Sequence, residues 1–109
     1  MDIKKILEKE KKNYNKIYLY IDTEQEICRA YELSAYLLYK VSDSLEILKG
    51  TDKYLETTFF FTKVSLEKIV ERFTDPNTTV GDRYIKIVLD GPNCCMQWRA
   101  EFEKLKKLQ

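Results

Sequence analysis

The stretch KIYLYIDTEQEICRAYE, residues 16–32, decides how this chain is to be folded. In its opening residues Ile17, Leu19 and Ile21 alternate with Tyr18 and Tyr20. Successive side chains of a strand point to opposite faces, so this reads as a strand with an aliphatic side and a tyrosine side. Asp22-Thr23-Glu24-Gln25 follows as a polar turn. Residues 26–31 admit two readings. Helix propensity lets them join the next element, whereas the alternation of Ile27, Arg29 and Tyr31 against Cys28 and Ala30 makes them the second strand of a hairpin. From Leu33 the period is helical, with Leu33, Tyr36, Leu37 and Val41 on one face.

On the N-terminal side, residues 2–14 carry Ile3, Ile6, Leu7 and Tyr14 on one side and lysines elsewhere, an amphipathic helix. On the C-terminal side, Asp43-Ser44 closes the second helix. LEILK at 45–49 is a short strand that Gly50-Thr51-Asp52 ends. Residues 54–64 form a strand in which Phe59, Phe60 and Phe61 run continuously, which predicts cover on both faces. Ser65 is an N-cap for a helix bearing Leu66, Ile69, Val70 and Phe73, stopped by Asp75-Pro76-Asn77. A polar loop through Gly81 leads to a strand at 83–90. Gly91-Pro92-Asn93 is a turn, with Asn93 a candidate cap, and Trp98, Phe102, Leu105 and Leu108 stripe a last helix. The order α-β-β-α-β-β-α-β-α places the chain in the mixed α/β (α+β) class. A small mixed sheet of about five strands, flanked by about four helices, is expected.

The chain has 109 residues, which is one domain (1–109) by length, with a C-terminal helix at 93–109. Hydrophobic residues at 44% and aromatics at 13% are too many for a disordered protein. Histidine is absent, which removes His-dependent acid–base catalysis, His-containing triads and His-containing zinc sites. Cys28, Cys94 and Cys95 have neither framework nor metal-ligand spacing and read as core thiols. The first twenty residues are charged and lack the apolar segment of a signal peptide, and no uncharged run approaches the ~18 residues of a membrane span. A cytoplasmic protein without membrane contact is expected.

No phosphate-cradling glycine motif, nucleophile elbow or HExxH zinc motif is present, so no cofactor is implied. Asp22 and Asp90 each follow a predicted strand. They would share a sheet edge, as a metal-dependent nuclease needs, only if those strands were adjacent and parallel. Ordinary turn chemistry accounts for both, and an enzyme is not expected.

The net charge of +1 is unevenly spread. Residues 1–20 carry six lysines against three acids, and residues 92–109 carry four basic against two acidic. Residues 21–91 carry nine basic against thirteen acidic. Lys4, Lys5, Lys11 and Lys12 at one end and Arg99, Lys106 and Lys107 at the other are therefore candidate contacts for a polyanion, provided the termini meet in space. The alternative is that they are solvated helix faces. The eight tyrosines suit a partner surface or stacking on single-stranded bases, against the plainer reading of half-buried sheet and helix positions.

The stretches KIYLYI, ICRAYELSAYLLYKV, TFFFTKVSLEKIVERF and RYIKIVLD, in this order over residues 2–90, resemble the N-terminal domain of the MutS mismatch-repair proteins. The resemblance implies that residues 26–31 are a second strand with the helix beginning after them. It places the family's mismatch-reading Phe-x-Glu on Ile27 and Arg29, so both the aromatic wedge and the acid are missing. The family's Gly-Val-Pro is likewise replaced by Thr62-Lys63-Val64. Mismatch reading is therefore not implied, although an aliphatic residue and an arginine remain compatible with a nucleic-acid surface. Arg29 to Ala35 is similar to a stretch of small stand-alone MutS-like proteins that accompany the reverse transcriptases of diversity-generating retroelements. That implies a non-catalytic accessory factor whose partner is a reverse transcriptase, RNA or DNA. The alternative is a phage or bacterial protein–protein adaptor or inhibitor that binds no nucleic acid.

Overall fold

A computed structural model describes residues 3–13, 15–41, 46–54, 56–72, 78–81, 83–89 and 92–107, with side chains for all of these except 41, 70–72 and 92–95. Among the described residues six strands form one sheet: β1 (Lys16–Asp22), β2 (Ile27–Tyr31), β3 (Leu48–Asp52), β4 (Thr57–Ser65), β5 (Thr78–Val80) and β6 (Tyr84–Val88). Four helices join them: α1 (Ile3–Lys11), α2 (Glu32–Val41), α3 (Leu66–Arg72) and α4 (Pro92–Lys107). The strand order is β3-β4-β2-β1-β6-β5. Every pairing is antiparallel, not mixed as expected. The class, α+β with four helices and one sheet, is the one the sequence predicts.

The hairpin reading of 16–32 is the correct one. Tyr20 pairs with Arg29 and Asp22 with Ile27. The turn between them is held by Asp22, whose Oδ1 accepts the backbone N–H groups of Glu24 (3.1 Å) and Gln25 (3.3 Å). This is the local bonding that makes Asp a turn residue. Two strands differ from expectation. The loop before Gly81 contains the sixth strand, β5, which pairs with β6 from Thr78 to Val80. Strand β3 begins at Leu48, leaving Glu46 and Ile47 outside it, and runs through Gly50 instead of ending there, with Gly50 opposite Phe59. A Cβ at Gly50 would stand 2.7 Å from the Phe59 ring, so the aromatic occupies the space the glycine leaves. An aromatic laid over a glycine of an edge strand restores the packing that the glycine lacks.

The helices cover one face of the sheet. Ile17, Leu19, Cys28, Ala30, Phe60, Val64, Ile85 and Ile87 face them and are buried with Leu33, Leu37, Leu38, Ile69 and Phe102. Burying an aliphatic side chain of this size contributes about 1.5–3 kcal/mol. Cys28 lies in this core, and burial pushes its thiol up to about 11, as expected of an inert core cysteine. Trp98 is half-buried against the core and Leu105 is exposed on α4. The expected roles of Tyr14, Val70, Phe73, Asn93, Cys94, Cys95 and Leu108, and the stops at 43–44 and 75–77, fall outside what is described.

Strand β2 stops at Tyr31 because Glu32 takes a left-handed conformation (φ 49°) and turns the chain directly into α2. Its departure leaves N–H groups of both neighbouring strands without a ladder partner. Side chains from the first turn of α2 accept them. The Glu32 carboxylate takes the N–H of Phe60 (3.2 Å), and the Ser34 hydroxyl takes the N–H of Tyr18 (3.0 Å). Ser34 and Ala35 are both fully buried, which explains why small residues stand where helix and sheet come closest. Ser65 caps α3 as predicted, accepting the N–H of Lys68 (3.3 Å).

Candidate nucleic-acid interface

The alternation that buries one face of the sheet must display the other. Tyr18 and Tyr20 of β1, Ile27, Arg29 and Tyr31 of β2, Phe59, Phe61 and Lys63 of β4, and Tyr84 and Lys86 of β6 are half-buried or exposed. The continuous Phe59-Phe60-Phe61 run therefore does not mark a strand covered on both sides. Phe60 enters the core, while Phe59 and Phe61 lie on the open face. Residues this apolar tolerate the open face because their rings cover one another. Tyr20 and Tyr31 have ring centroids 5.9 Å apart, Tyr31 and Phe59 5.7 Å, and Phe59 and Phe61 5.9 Å. The tilted geometry suits aromatic quadrupoles.

Cations border these rings. The register sets Tyr84, Tyr20, Arg29 and Lys63 in one row across four strands, and sets Lys86 opposite Tyr18. The Lys9 ammonium stands 4.0 Å from the Tyr18 ring centroid, and that of Lys63 stands 5.9 Å from the Phe61 ring. Burial raises the phenol pKa of Tyr20 to about 12, and burial also raises those of Tyr18 and Tyr31. All three therefore remain neutral hydroxyl donors near pH 7. Tyr84 is placed by a second glycine: a Cβ on Gly81 would meet its ring at 2.2 Å.

At the turn end of this face lies a hollow of about 590 Å³, lined by Lys9, Tyr18, Tyr20, Tyr84, Arg83 and the Asp22–Arg29 pair, among others. Arg29 Nη1 donates to Asp22 Oδ2 at 3.2 Å. The Gln25 backbone N–H first, and Arg29 as well, hold the Asp22 carboxyl below its usual range.

The nine residues singled out in the sequence do not form one surface. Ile27 and Arg29 lie on the open face, on a central strand. Lys12 borders a small depression beside it with Lys9, Asn15, Lys16 and Tyr18. Lys4 and Lys5 are exposed on α1, and Lys107 on α4. Lys11, Arg99 and Lys106 instead line a hollow on the helical side with Leu33 and Phe102. The termini do meet, but the contact consumes charge. The Arg99 guanidinium donates to the carbonyl of Lys11 (2.7 Å) and to that of Asn13, satisfying the end of α1. Lys106 pairs with buried Glu32. The residues not singled out individually are Tyr20, Tyr31, Phe59, Phe61, Lys9, Lys63 and Arg83. The available signal was the tyrosine side of the first strand.

Asp22 does not begin a carboxylate cluster. Strands β1 and β6 are adjacent but antiparallel, with Val88 opposite Lys16, so the end of β6 lies away from Asp22. Asp90 itself is outside the described residues. Among those described, no group of three or more Cys, Asp or Glu side chains could hold a metal ion, and no helix is long and apolar enough to cross a membrane. Comparison with protein-family models, curated proteins and solved structures gives no match.

Proposed function

We propose that this protein is a non-catalytic module that binds single-stranded nucleic acid on the open face of its sheet. Its role would be that of a cytoplasmic, MutS-like accessory factor of a reverse transcriptase or a comparable nucleic-acid-handling complex. The observation that carries the reading is the row of Tyr20, Tyr31, Phe59 and Phe61 rings bordered by Lys9, Arg29, Lys63 and Lys86. Every base has a π-face, so an aromatic platform stacks bases without regard to sequence, while cations track the phosphates. A near-neutral chain does not coat nucleic acid, but a local cation border needs no large net charge. The MutS resemblance adds that Ile27 and Arg29, which occupy the family's reading positions, lie on this same face.

The test is fluorescence anisotropy with labelled single-stranded RNA and DNA over a salt series. Binding is expected to weaken linearly in log salt, with a slope of about −0.7 per phosphate contacted, and to fall in Tyr20→Ala and Tyr31→Ala chains. Absence of binding at low salt overturns the proposal.

One observation favours a protein partner as well. On the helical side Tyr36, Tyr39, Ile47 and Leu105 line a broad apolar hollow with Lys40, Glu101 and Lys104 at its margin. Tyr and a mixed-charge rim suit a protein contact. An adaptor reading would rest on this surface, leaving the sheet face free.

A further inference from the structure

We infer that the hollow at the β1–β2 turn is a base-reading subsite that selects guanine within a single strand. This rests on the proposal that the open face binds nucleic acid, and it adds which base that face recognises.

The hollow, about 590 Å³, is of the size that small-molecule sites have. Three features of it point to a nucleotide. Its walls include Tyr18, Tyr20 and Tyr84, and Tyr20 and Tyr84 are directly opposed across β1 and β6. That supplies a surface for a planar ring. Lys9 stands at one end over Tyr18, and Arg83 stands beside Tyr84. Arg83 makes no ion pair among the described residues, so its guanidinium is available to a phosphate. The third feature is the presence of carboxylates, which a plain phosphate-binding patch would exclude. Asp22 and Glu24 face the same space as Arg29.

That combination matches one base edge. Guanine presents two adjacent donors, N1–H and the N2 amino group, beside the O6 acceptor. Adenine, cytosine and uracil each lack the adjacent donor pair. Asp22 Oδ1 already accepts two turn N–H groups, whereas Oδ2 accepts only Arg29 and keeps a lone pair for N1–H. Glu24 is exposed at the turn and supplies the second acceptor. Arg29 spends one N–H on Asp22 and retains others for O6. The Asp22–Arg29 pair thus holds an acceptor and a donor side by side, already oriented. In duplex grooves arginine donates to guanine O6 and a carboxylate accepts from a base amino group, and this pair offers both roles side by side.

The test compares the wild-type chain on four labelled hexamers, oligo-uridine and the same strand with one internal G, A or C. A single G is expected to tighten binding about tenfold, an A or C less than twofold. Asp22→Asn replaces an acceptor by an amide and is expected to bring the ratio of G-strand to oligo-uridine affinity, both measured on the variant, close to one. Glu24→Gln, at an exposed turn position, is a second variant whose folding is not at risk, and it is expected to reduce the preference. Equal affinity for all four strands overturns this inference and leaves the proposed function standing. No binding to any of them overturns both. A G preference that survives both variants overturns the assignment to this hollow.

Discussion

Glu10 of α1 is 3% exposed and yet a carboxylate. Its Oε1 accepts the backbone N–H of Ser34 (2.8 Å) and the Asn13 amide (3.2 Å), and its Oε2 is 2.7 Å from the Ser34 hydroxyl. Asn13 in turn brackets Lys16, donating to its carbonyl (2.6 Å) and accepting its N–H (2.9 Å). The cluster thereby ties the end of α1 to the start of β1 and the first turn of α2. Burial raises the Glu10 pKa from 4.5 to about 7 against the lowering effect of these bonds. At roughly 1.4 kcal/mol per unit, that displacement is worth about 3 kcal/mol. An acid whose pKa is raised on folding keeps its proton in the native state after the unfolded chain has lost it. Its stabilising contribution is therefore complete below pH 4.5 and is lost as the pH rises through about 7. Glu10→Gln mimics the protonated acid, since its carbonyl accepts the same two N–H donors and its amide reaches the Ser34 hydroxyl. Urea denaturation followed by circular dichroism at intervals from pH 4 to 8.5 reads the difference between the two chains. The variant is expected to gain about 3 kcal/mol on wild type between pH 4.5 and 8, most of it between 5 and 7. Two parallel stability curves over that range would refute the reasoning, because Glu10 would then ionise as freely folded as unfolded.

Three further outcomes are expected. Tyr31→Ala removes the ring that touches Tyr20, Phe59 and Phe61, and titration with a single-stranded oligonucleotide should show about tenfold weaker binding. Glu32→Ala leaves the buried Phe60 N–H without its acceptor and Lys106 without its partner. Chemical denaturation should show a loss of about 3 kcal/mol, and a loss below 1 kcal/mol would mean that another group accepts the amide. Gly81→Ala drives a methyl into the Tyr84 ring. It should cost about 1–2 kcal/mol of stability in wild type and much less in a Tyr84→Ala background, so a double-mutant cycle that shows no coupling would overturn the packing assigned to that pair.

The elements were largely legible in the sequence. Strand β1 followed from its strict two-residue alternation, α2 from the change of period at Leu33, and the Ser65 cap from its place before Leu66. Local propensity and periodicity suffice for such segments because each side chain's choice is made against its own backbone. Strand β5 escaped because three residues between polar neighbours carry too little pattern, and they extend only because β6 offers them a ladder. The extension of β3 through Gly50 depends in the same way on a ring from the neighbouring strand, which no local pattern encodes.

The candidate interface divides along the same line. That Tyr18 and Tyr20 share a face was visible in residues 16–21. Whether a helix would cover that face was not, because tyrosine is content both in a core and at a wet surface. Only the packing of the helices on the opposite side left it open, and only the pairing of β2 with β1 and β4 brought Tyr20, Tyr31 and Phe59 into one cluster. The basic termini show the reverse case. Their charge is plain in the sequence, but contact between α1 and α4 commits Arg99 to helix carbonyls and Lys106 to Glu32. Composition counts a charge wherever it stands along the chain; the partners it meets after folding decide whether that charge remains available to anything else.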